Sequence, residues 1–495
     1  MVDESYILTI DQSTSGTKGI IVDKKGTIIS RKTSIHKQLY PQSGWVEHDP
    51  IEIYENVKRV IKESIESNIH LISNLKALTI TNQRETVVVW DKKTGNPVYN
   101  AIVWQCRRTT EMCITLNKEG YADKVRKKTG LPIDPYFSAS KVKWILDNVS
   151  GAREKAEKGD LLLGTIDSWL IWKLSEGKVH ATDVTNASRT LLFNIHSLSW
   201  DEELLQIFNI PESMLPEVRF SDDLFGLIED SDLLVNKIPI SGVIGDSQAA
   251  LFGQKCFEKG MAKATFGTGT SVMVYTEDLL EARDGLVTTV AWGLNGKVHF
   301  ALEGIINTTG DIIKWMKEDL TLFNEFSEAE ALAEMLKDND GVYLVPAFVG
   351  LGAPYWSPNT RAGIIGMSRS TNKSHLVRAG FESIVYQVKD IVELIHEKNQ
   401  ISVMGLKVDG GATSNNFLMS FLSDLVNINV MVSDIPELSA LGSAFIGGLG
   451  TGMWVSVEEI TLLNRELSIF EPKMSEEKRK QFYMEWKNAI HSLLI

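Results

Sequence analysis

The residues from Ile7 to Asp23 have the composition of a phosphate-binding strand–turn–strand unit. An apolar run ends at Ile10, the polar stretch Asp11–Lys18 follows, and Ile20–Val22 is apolar again. Backbone N–H groups at such a turn form a concave anion site, and nearby hydroxyls and ammonium groups add donors. The added donors are Thr14, Ser15, Thr17 and Lys18. An ordinary polar hairpin with an exposed lysine is the competing interpretation.

Asp11 closes the first of these predicted strands, directly before the turn. A carboxylate has no direct role beside bound phosphate, because two anions repel each other. Its position makes chemical sense if Mg²⁺ lies between them, since Mg²⁺ takes oxygen ligands from both protein and phosphates. If the turn binds phosphate, the position of Asp11 favours Mg²⁺ between the two anions, and the ordinary polar hairpin is the equal alternative.

Arg84 and Glu85 lie between two predicted strands, Leu75–Thr81 and Val87–Trp90. Neighbouring residues in a strand point to opposite faces, so this charged pair is better placed in a loop, where both side chains can face one ligand. Arginine donates hydrogen bonds and a carboxylate accepts them, which suits a hydroxyl-rich substrate. An exposed surface ion pair is the alternative interpretation.

Asp246 lies where a predicted strand meets a predicted helix. The stretch Ile238–Ala250 reads as a strand that ends in glycine and aspartate and then continues as a helix. Proteins of the α/β class place their chemistry at the carboxyl ends of strands. A simple helix N-cap is the equal alternative, because aspartate is a good capping residue.

The second half of the chain repeats the theme of short glycine-rich connections. Met261–Tyr275 again reads as strand, Gly-Thr turn and strand, and Asp409–Asn416 as strand end, diglycine turn and helix start. Glycines at such turns allow a ligand to approach the backbone closely. Leu438–Gly450 predicts a helix of small residues that packs tightly on a neighbour.

Several helices are predicted from spacing and capping. Asp49 and Pro50 have the pattern of an N-cap followed by a first helical residue. Trp144 is expected in the core. The predicted helices are residues 50–68, 109–128, 141–148, 374–397 and 475–495.

Composition limits the class of protein. A chain of 495 residues needs more than one core, and its net charge of −13 argues against a nucleic acid partner. Three cysteines without paired metal spacing suit a reducing compartment, and no signal peptide or membrane-crossing run is recognisable, so a cytoplasmic protein without membrane insertion is expected. The Walker A motif is absent from the sequence.

Seven stretches in order along the chain carry a family resemblance. They are Asp11–Lys18, Gly44–Pro50, Asn82–Thr86, Ala101–Arg108, Ile133–Ser138, Thr185–Thr190 and Pro346–Trp356. Together they resemble the FGGY family of carbohydrate kinases. The resemblance implies an α/β, actin-like (ribonuclease H-like) two-lobe ATPase fold with a central interlobe cleft. It also implies an N-terminal lobe at residues 1–253, with the polyol site, first phosphate loop and catalytic base, and a C-terminal lobe at residues 254–495, with the second phosphate loop and adenosine site.

The resemblance also implies roles for individual residues. Polyol-binding positions are Arg84, Glu85, Trp104, Tyr136, Asp246 and Ser247, with Asp246 as general base. ATP-binding positions are Thr14, Ser15, Gly16, Lys18, Thr268, Gly310, Lys314, Gly411 and Asn415. Metal-binding positions are Asp11 and Asp246. The implied activity is Mg²⁺-assisted, ATP-dependent phosphorylation of glycerol, with a longer polyol or a ketose as the alternative acceptor. Family members often form homodimers or homotetramers, although no interface signature is visible in the sequence.

Four positions depart from the pattern of family members that act on glycerol. Ser13 replaces a usual Gly, Ser247 a Gln, Ser271 a Phe, and Lys314 a Gln. Ser247 and Ser271 are smaller than the residues they replace, which predicts a roomier and more polar acceptor pocket. This is the basis of the hypothesis that a longer acceptor is preferred.

Overall fold

The computed structural model describes residues 4–230, 232–233, 237–357, 359–463 and 465–494. The chain forms two compact units. The first comprises residues 1–255, 288–300 and 437–464, and the second comprises residues 256–287, 301–436 and 465–495. Two segments that follow residue 253 thus pack with the first unit, and the expected domain division at that residue stays a prediction.

The main sheet of the first unit has six strands and positions most of the predicted site. In spatial order the strands are Leu224–Leu227, Pro239–Gly245, Leu75–Asn82, Tyr6–Gln12, Gly16–Asp23 and Ile28–Ile35. The second, third and fourth of these run parallel, with Gln12 and Gly245 both paired to Asn82. Their carboxyl ends therefore meet at one edge of the sheet.

Smaller sheets and helices complete the first unit. A four-stranded sheet has the spatial order Glu47–His48, Ala101–Ile102, Val87–Asp91 and Leu161–Thr165. One two-stranded sheet pairs Phe193–Asn194 with Ser199–Trp200, and another pairs Ala181–Asp183 with Glu217–Arg219. The segment 288–300, which belongs to this unit, contains most of the strand Val287–Leu294. The α-helices are Pro50–Glu66, Thr110–Lys118, Ala122–Thr129, Ser138–Asn148, Ala152–Glu157, Ile166–Leu174, Val184–Ala187, Glu202–Phe208, Asp246–Gly253, Leu438–Gly450 and Val457–Thr461, and the 3₁₀ helices are Ile69–Asn74 and Glu212–Met214.

Three sequence predictions for this unit have clear outcomes. The capped helix is confirmed, because the Asp49 carboxylate accepts the Ile51 N–H at 2.8 Å and Pro50 is the first helical residue. The helical character expected of residues 109–128 is confirmed, and the stretch forms two helices with Gly120 in a left-handed turn between them. Trp144 is only half-buried, and its ring stacks under the Arg108 guanidinium.

The second unit has its own sheet and core. From strand Lys297–Ile306 onward, the next strands of its main sheet, in spatial order, are Thr270–Glu277, Met261–Phe266, Gly405–Gly410, Val430–Ser433 and Leu467–Phe470. A two-stranded sheet pairs Tyr343–Val345 with Gly363–Ile365. The helices are Gly310–Glu318, Phe326–Glu334, Lys373–Asn399, Asn416–Val426 and Glu476–His491, with a 3₁₀ turn at Gly411–Ser414. The long helix predicted over residues 374–397 is confirmed and runs through the middle of the core. None of the helices in the described ranges is both long and apolar enough to cross a membrane.

The predicted small-residue helix is confirmed as Leu438–Gly450, and it packs against the helix Asp246–Gly253. A Cβ atom on Gly442 would lie 1.9 Å from the Ala249 carbonyl oxygen, and one on Gly253 would lie 2.1 Å from the Leu438 carbonyl oxygen. Only glycine allows backbones to approach this closely. This contact therefore sets the position of the helix that begins at Asp246.

We expect Gly442→Ala to lower the free energy of unfolding by roughly 1–3 kcal/mol, because the added methyl group forces the two helices apart. Urea unfolding at pH 7 measures the effect. Gly411→Ala is the control, since a Cβ there meets nothing within 4 Å. Equal stability of the two variants would contradict the packing argument.

Candidate functional site

The first predicted phosphate turn is present but shorter than expected. Asp11 pairs directly with Lys18 across the two antiparallel strands, which leaves only Ser13–Ser15 as the turn. The Ser13 N–H donates to the Gly16 carbonyl at 2.8 Å and closes it. Thr17 is fully buried inside the second strand and lies outside this turn, so its proposed part as a phosphate donor stays a prediction.

Lys18 is not the exposed lysine of a polar hairpin. Its ammonium lies 2.6 Å from a carboxylate oxygen of Glu437 and 3.8 Å from one of Asp11, and a quarter of the side chain is exposed. Arg31 also contacts Glu437, at 2.9 Å. The sequence reasoning missed Glu437, because 419 positions separate it from Lys18 and no local pattern marks it.

Asp11 is a buried carboxylate with too few compensating partners. Loss of hydration raises its pKa to about 6; Lys18 opposes this rise, while the charges of Glu437 and Asp246 add to it. A bound cation would relieve this cost, so the site fits Mg²⁺. Among the described residues no group of three or more His, Cys, Asp or Glu could hold a metal ion, and Mg²⁺ commonly keeps waters and phosphate oxygens as its remaining ligands.

Arg84 and Glu85 are buried in a loop, so the surface ion pair interpretation is wrong. They are 4% and 1% exposed, and Glu85 has a left-handed backbone with φ of 60°. The Arg84 Nε atom lies 3.8 Å from a Glu85 carboxylate oxygen and 3.5 Å from one of Asp246. Arg84 also donates to the Gln248 amide oxygen at 3.2 Å, a contact that the sequence reasoning missed although Gln248 lies in the same predicted helix.

Asp246 is the first residue of the helix Asp246–Gly253, directly after the strand that ends at Gly245. Gly245 occupies the capping position, and the Ser247 N–H donates to the Asp246 carboxylate at 2.6 Å. About a third of the Asp246 side chain is exposed. Its carboxylate is therefore both oriented by Arg84 and accessible to a small molecule.

Two aromatic rings stand beside this cluster. The Trp104 and Tyr136 ring centroids are 5.4 Å apart, and the indole N–H of Trp104 donates to the Thr14 hydroxyl at 3.0 Å. This bond joins the predicted polyol residues to the phosphate turn. The fully buried Lys141 donates to the carbonyl groups of Pro135, Tyr136 and Phe137 and fixes the loop that carries Tyr136, and burial lowers its pKa to about 8.

The second Gly-Thr turn, in the other unit, is built against a helix start. Thr268 is exposed at its tip, and the Gly310 N–H at the start of helix Gly310–Glu318 donates to the Gly267 carbonyl at 3.0 Å. A Cβ on Gly310 would lie 2.4 Å from that oxygen. Lys314, one helical turn later, is largely exposed and lies 3.8 Å from Glu318.

The diglycine turn lies at the same end of this sheet. Gly410 pairs with Phe266, the residue before the Gly-Thr turn, so Gly411 is close to that turn in space. Asn415 is 9% exposed and its side-chain oxygen caps helix Asn416–Val426 by accepting the Leu418 N–H at 2.8 Å. The predicted nucleotide residue Asn415 thus has a structural use in addition to any ligand contact.

Ser247 and Ser271, the two small residues expected to enlarge the acceptor pocket, have different surroundings. Ser247 is half-buried next to Asp246. The Ser271 hydroxyl, in the second unit, donates to the buried Glu303 carboxylate at 2.8 Å and lies 3.3 Å from the Lys263 ammonium. Ser271 therefore extends a buried polar network rather than leaving an apolar gap.

Comparisons with known proteins agree on one family. Residues 6–253 match the N-terminal domain model, and residues 262–451 the C-terminal domain model, of the FGGY family of carbohydrate kinases. The chain is 50% identical to glycerol kinase 2 of Thermotoga maritima over 486 residues, covering 98% of each chain. It is 49% identical to the glycerol kinase of Bacillus subtilis over 492 residues, covering 99% of each.

A solved structure extends the likeness to three dimensions. The glycerol kinase of Plasmodium falciparum, solved with ADP, matches with a TM-score of 0.93 and 39% identity over 99% of both chains. The α/β, actin-like fold expected from the sequence is thereby confirmed.

The raised pKa of Asp11 predicts a pH-dependent stability. The folded protein keeps this proton between pH 4 and pH 6, where the unfolded chain loses it, so the free energy of unfolding falls as pH rises through this range. An asparagine at this position would carry no charge, so Asp11→Asn should abolish this fall in the free energy of unfolding. The variant should be more stable than the metal-free wild type by roughly 1–3 kcal/mol at pH 7, with little difference near pH 4. Chemical unfolding in EDTA at both pH values measures it.

Asp91→Asn is the matched control for this prediction. Hydrogen bonds from the Thr94 N–H and the Lys155 ammonium lower the pKa of Asp91 to about 2, so its removal should destabilise the protein at pH 7. The same sign for both variants would contradict the account of Asp11.

Proposed function

The chain belongs to the FGGY family of carbohydrate kinases, and we propose that it transfers the γ-phosphoryl group of ATP to glycerol, with release of ADP. The products are sn-glycerol 3-phosphate and ADP. One observation of the structure carries the proposal: Arg84, Glu85 and Asp246 converge at the carboxyl ends of adjacent parallel strands. A small molecule with several hydroxyl groups is the natural ligand for such a cluster.

In the proposed complex the acceptor is held by complementary polar groups. Arg84 donates to one hydroxyl, the Glu85 carboxylate accepts from another, and the Tyr136 hydroxyl adds a third contact. Trp104 covers the carbon skeleton with its ring. Because the first two side chains are almost fully buried, an acceptor that lacks one hydroxyl loses a hydrogen bond to a buried charged group, and this gives selectivity.

Asp246 acts as the general base. It takes the proton of the primary hydroxyl group as that oxygen attacks the γ-phosphorus, and the bond from phosphorus to the bridging oxygen of ADP breaks. Proton transfer of this kind contributes roughly 10²–10⁴ in rate, and alignment of the two reactants contributes most of the rest. The accessible carboxylate and the nearby Arg84 guanidinium support this role.

The nucleotide is assigned to the glycine-rich turns. Thr14, Ser15, Gly16 and Lys18 in the first turn, and Thr268 and Gly310 in the second, are proposed to contact phosphates. Gly411, Asn415 and Lys314 are proposed to lie at the nucleoside. Lys18 is already paired with Glu437 at 2.6 Å, so a phosphate has to share or displace this carboxylate.

Mg²⁺ is proposed to be held by Asp11 and Asp246 together with phosphate oxygens and water. When bound, it neutralises charge on the phosphates. The burial of the Asp11 carboxylate, which raises its pKa to about 6 in spite of the nearby Lys18 ammonium, supports this assignment.

We also propose a reducing, cytoplasmic compartment. All three cysteines are free and buried, and burial raises the pKa values of the Cys113 and Cys256 thiols to about 12. Buried thiols with a raised pKa hold their protons at neutral pH, which suits a reducing compartment.

Asp246→Asn should lower kcat with glycerol by roughly 10²- to 10⁴-fold, because the amide cannot accept the proton. The KM for ATP should change little. Coupled assay of ADP release measures both values. Asp201→Asn is the control, since Asp201 caps another helix and pairs with Lys128. Full turnover by Asp246→Asn would show that the base is wrongly assigned.

The acceptor itself is tested by ADP release from Mg²⁺-ATP with glycerol, erythritol, xylitol, ribulose, xylulose and no acceptor. We expect the highest kcat/KM with glycerol, because Arg84, Glu85 and Asp246 match a short chain of hydroxyl groups. A higher value for a longer acceptor would instead mean that Ser247 and Ser271 set the preference.

A further inference from the structure

One buried stretch that resembles the family has no role in the mechanism above. Residues Asp183–Thr190 form a short helix and turn, and every side chain in the stretch is buried. Asp183 organises it, because its carboxylate accepts the backbone N–H groups of Thr185 and Asn186 at 3.1 and 2.9 Å and the Ser221 hydroxyl at 2.7 Å. A buried charged group satisfied this completely makes the turn rigid.

The first contact of this turn is with the start of the helix that carries the proposed base. The Thr185 hydroxyl accepts the Gly245 N–H at 2.9 Å and donates to Asp183 at 2.8 Å. Gly245 is the residue before Asp246 and occupies the capping position of its helix. A single hydroxyl group thus fixes the backbone from which the Asp246 side chain extends.

The second and third contacts are with the loop that carries Arg84 and Glu85. Asn186 and Asn82 exchange amide hydrogen bonds of 3.0 and 3.2 Å at the end of the strand before Arg84. The Arg189 Nε–H donates to the Glu85 carboxylate at 2.6 Å, with both side chains at most 1% exposed. This bond holds a side chain whose backbone is in the strained left-handed region.

The fourth contact is with the element that follows Tyr136. The Ala139 N–H, at the start of helix Ser138–Asn148, donates to the Thr190 carbonyl at 2.9 Å. The Arg189 guanidinium also lies 5.1 Å from the ring centroid of Phe137, the neighbour of Tyr136. The Glu85 carboxylate, the backbone directly before Asp246 and the start of the helix after Tyr136 are therefore each bonded to one turn of eight residues.

We propose that the turn Asp183–Thr190 is a positioning element for phosphoryl transfer to the acceptor, with Thr185 as the positioning residue for Asp246 and Arg189 as the positioning residue for Glu85. The proposal rests on the proposed function of the same site. It predicts separable kinetic effects: Thr185 acts on kcat through the base, and Arg189 acts on the KM for the acceptor.

Thr185→Val tests the first effect, because it removes the hydroxyl and keeps the side-chain volume. We expect kcat with glycerol to fall roughly tenfold to a hundredfold, since small misplacements of a catalytic group have costs of this size. The KM for ATP should stay unchanged, and Thr185→Ser should restore most of kcat.

Thr182→Val is the matched control for this variant. Thr182 is equally buried and also donates to a buried carboxylate, that of Asp167 at 2.7 Å, but it belongs to the strand before the turn. It should lose stability to a similar extent and keep kcat. Equal losses of kcat in Thr182→Val and Thr185→Val would overturn the proposal.

Arg189→Lys tests the second effect, because lysine keeps the charge but cannot reproduce the planar contact with Glu85. We expect the KM for glycerol to rise about tenfold or more, the size typical of a lost hydrogen bond to a charged group, with the KM for ATP unchanged. An unchanged KM for glycerol would overturn this part. If Arg189→Lys does not fold, the threonine pair alone decides the proposal.

Calorimetric titration of glycerol without nucleotide separates this proposal from the proposed function. A wild-type protein that binds glycerol but releases no ADP would overturn the proposed function, and the Kd of Arg189→Lys would then decide the positioning role. A wild-type protein that neither binds nor phosphorylates any polyol of the panel would overturn both.

Discussion

The parallel pairing of three strands is the constraint on which the proposed acceptor site depends. Tyr6–Gln12, Leu75–Asn82 and Pro239–Gly245 end at the same level, because Gln12 and Gly245 are both in register with Asn82. A slip of one residue would turn every side chain to the opposite face of the sheet. Asp11, the Arg84 loop and Asp246, which are far apart in sequence, are neighbours only while this register holds.

Charge burial is the second constraint, and it is met in different ways across the first unit. Asp183 is surrounded by hydrogen-bond donors, and Glu85 is paired with Arg189. Lys141 donates to three carbonyl groups, and Asp11 faces Lys18, whose ammonium is shared with Glu437. Asp183 belongs to the scaffold, whereas Asp11, whose pKa is raised to about 6 by burial, belongs to the site proposed for Mg²⁺. Incomplete compensation in the free protein is what a later ligand can supply.

The sequence predicted elements well where the signal is local. Capping at Asp49 and Pro50, the change from strand to helix at Asp246 and the small residues of Leu438–Gly450 all lie within a few positions of the element they predict. The helical composition of residues 109–128 is also local, but it did not show that Gly120 divides the stretch into two helices.

Partners across long sequence separations were not predictable in this way. Glu437 contacts Lys18, and Arg189 contacts Glu85. All four are charged residues, and from residue type alone one would expect them to be exposed at the surface. Periodicity cannot reveal such contacts, because they depend on which strand ends meet. The resemblance named the stretch that contains Arg189 but gave it no role, and the roles assigned to individual site residues remain predictions.

The return of residues 437–464 to the first unit has a consequence for biosynthesis. Glu437 and the helix that packs on Asp246–Gly253 leave the ribosome only after the whole sheet of the second unit except its last strand has been made. Until then Lys18 of the nascent first unit lacks its contact with Glu437, and the helix of Asp246 has an uncovered face. Its folding cannot be completed during translation in the usual order from the N-terminus, so the two units must mature almost together.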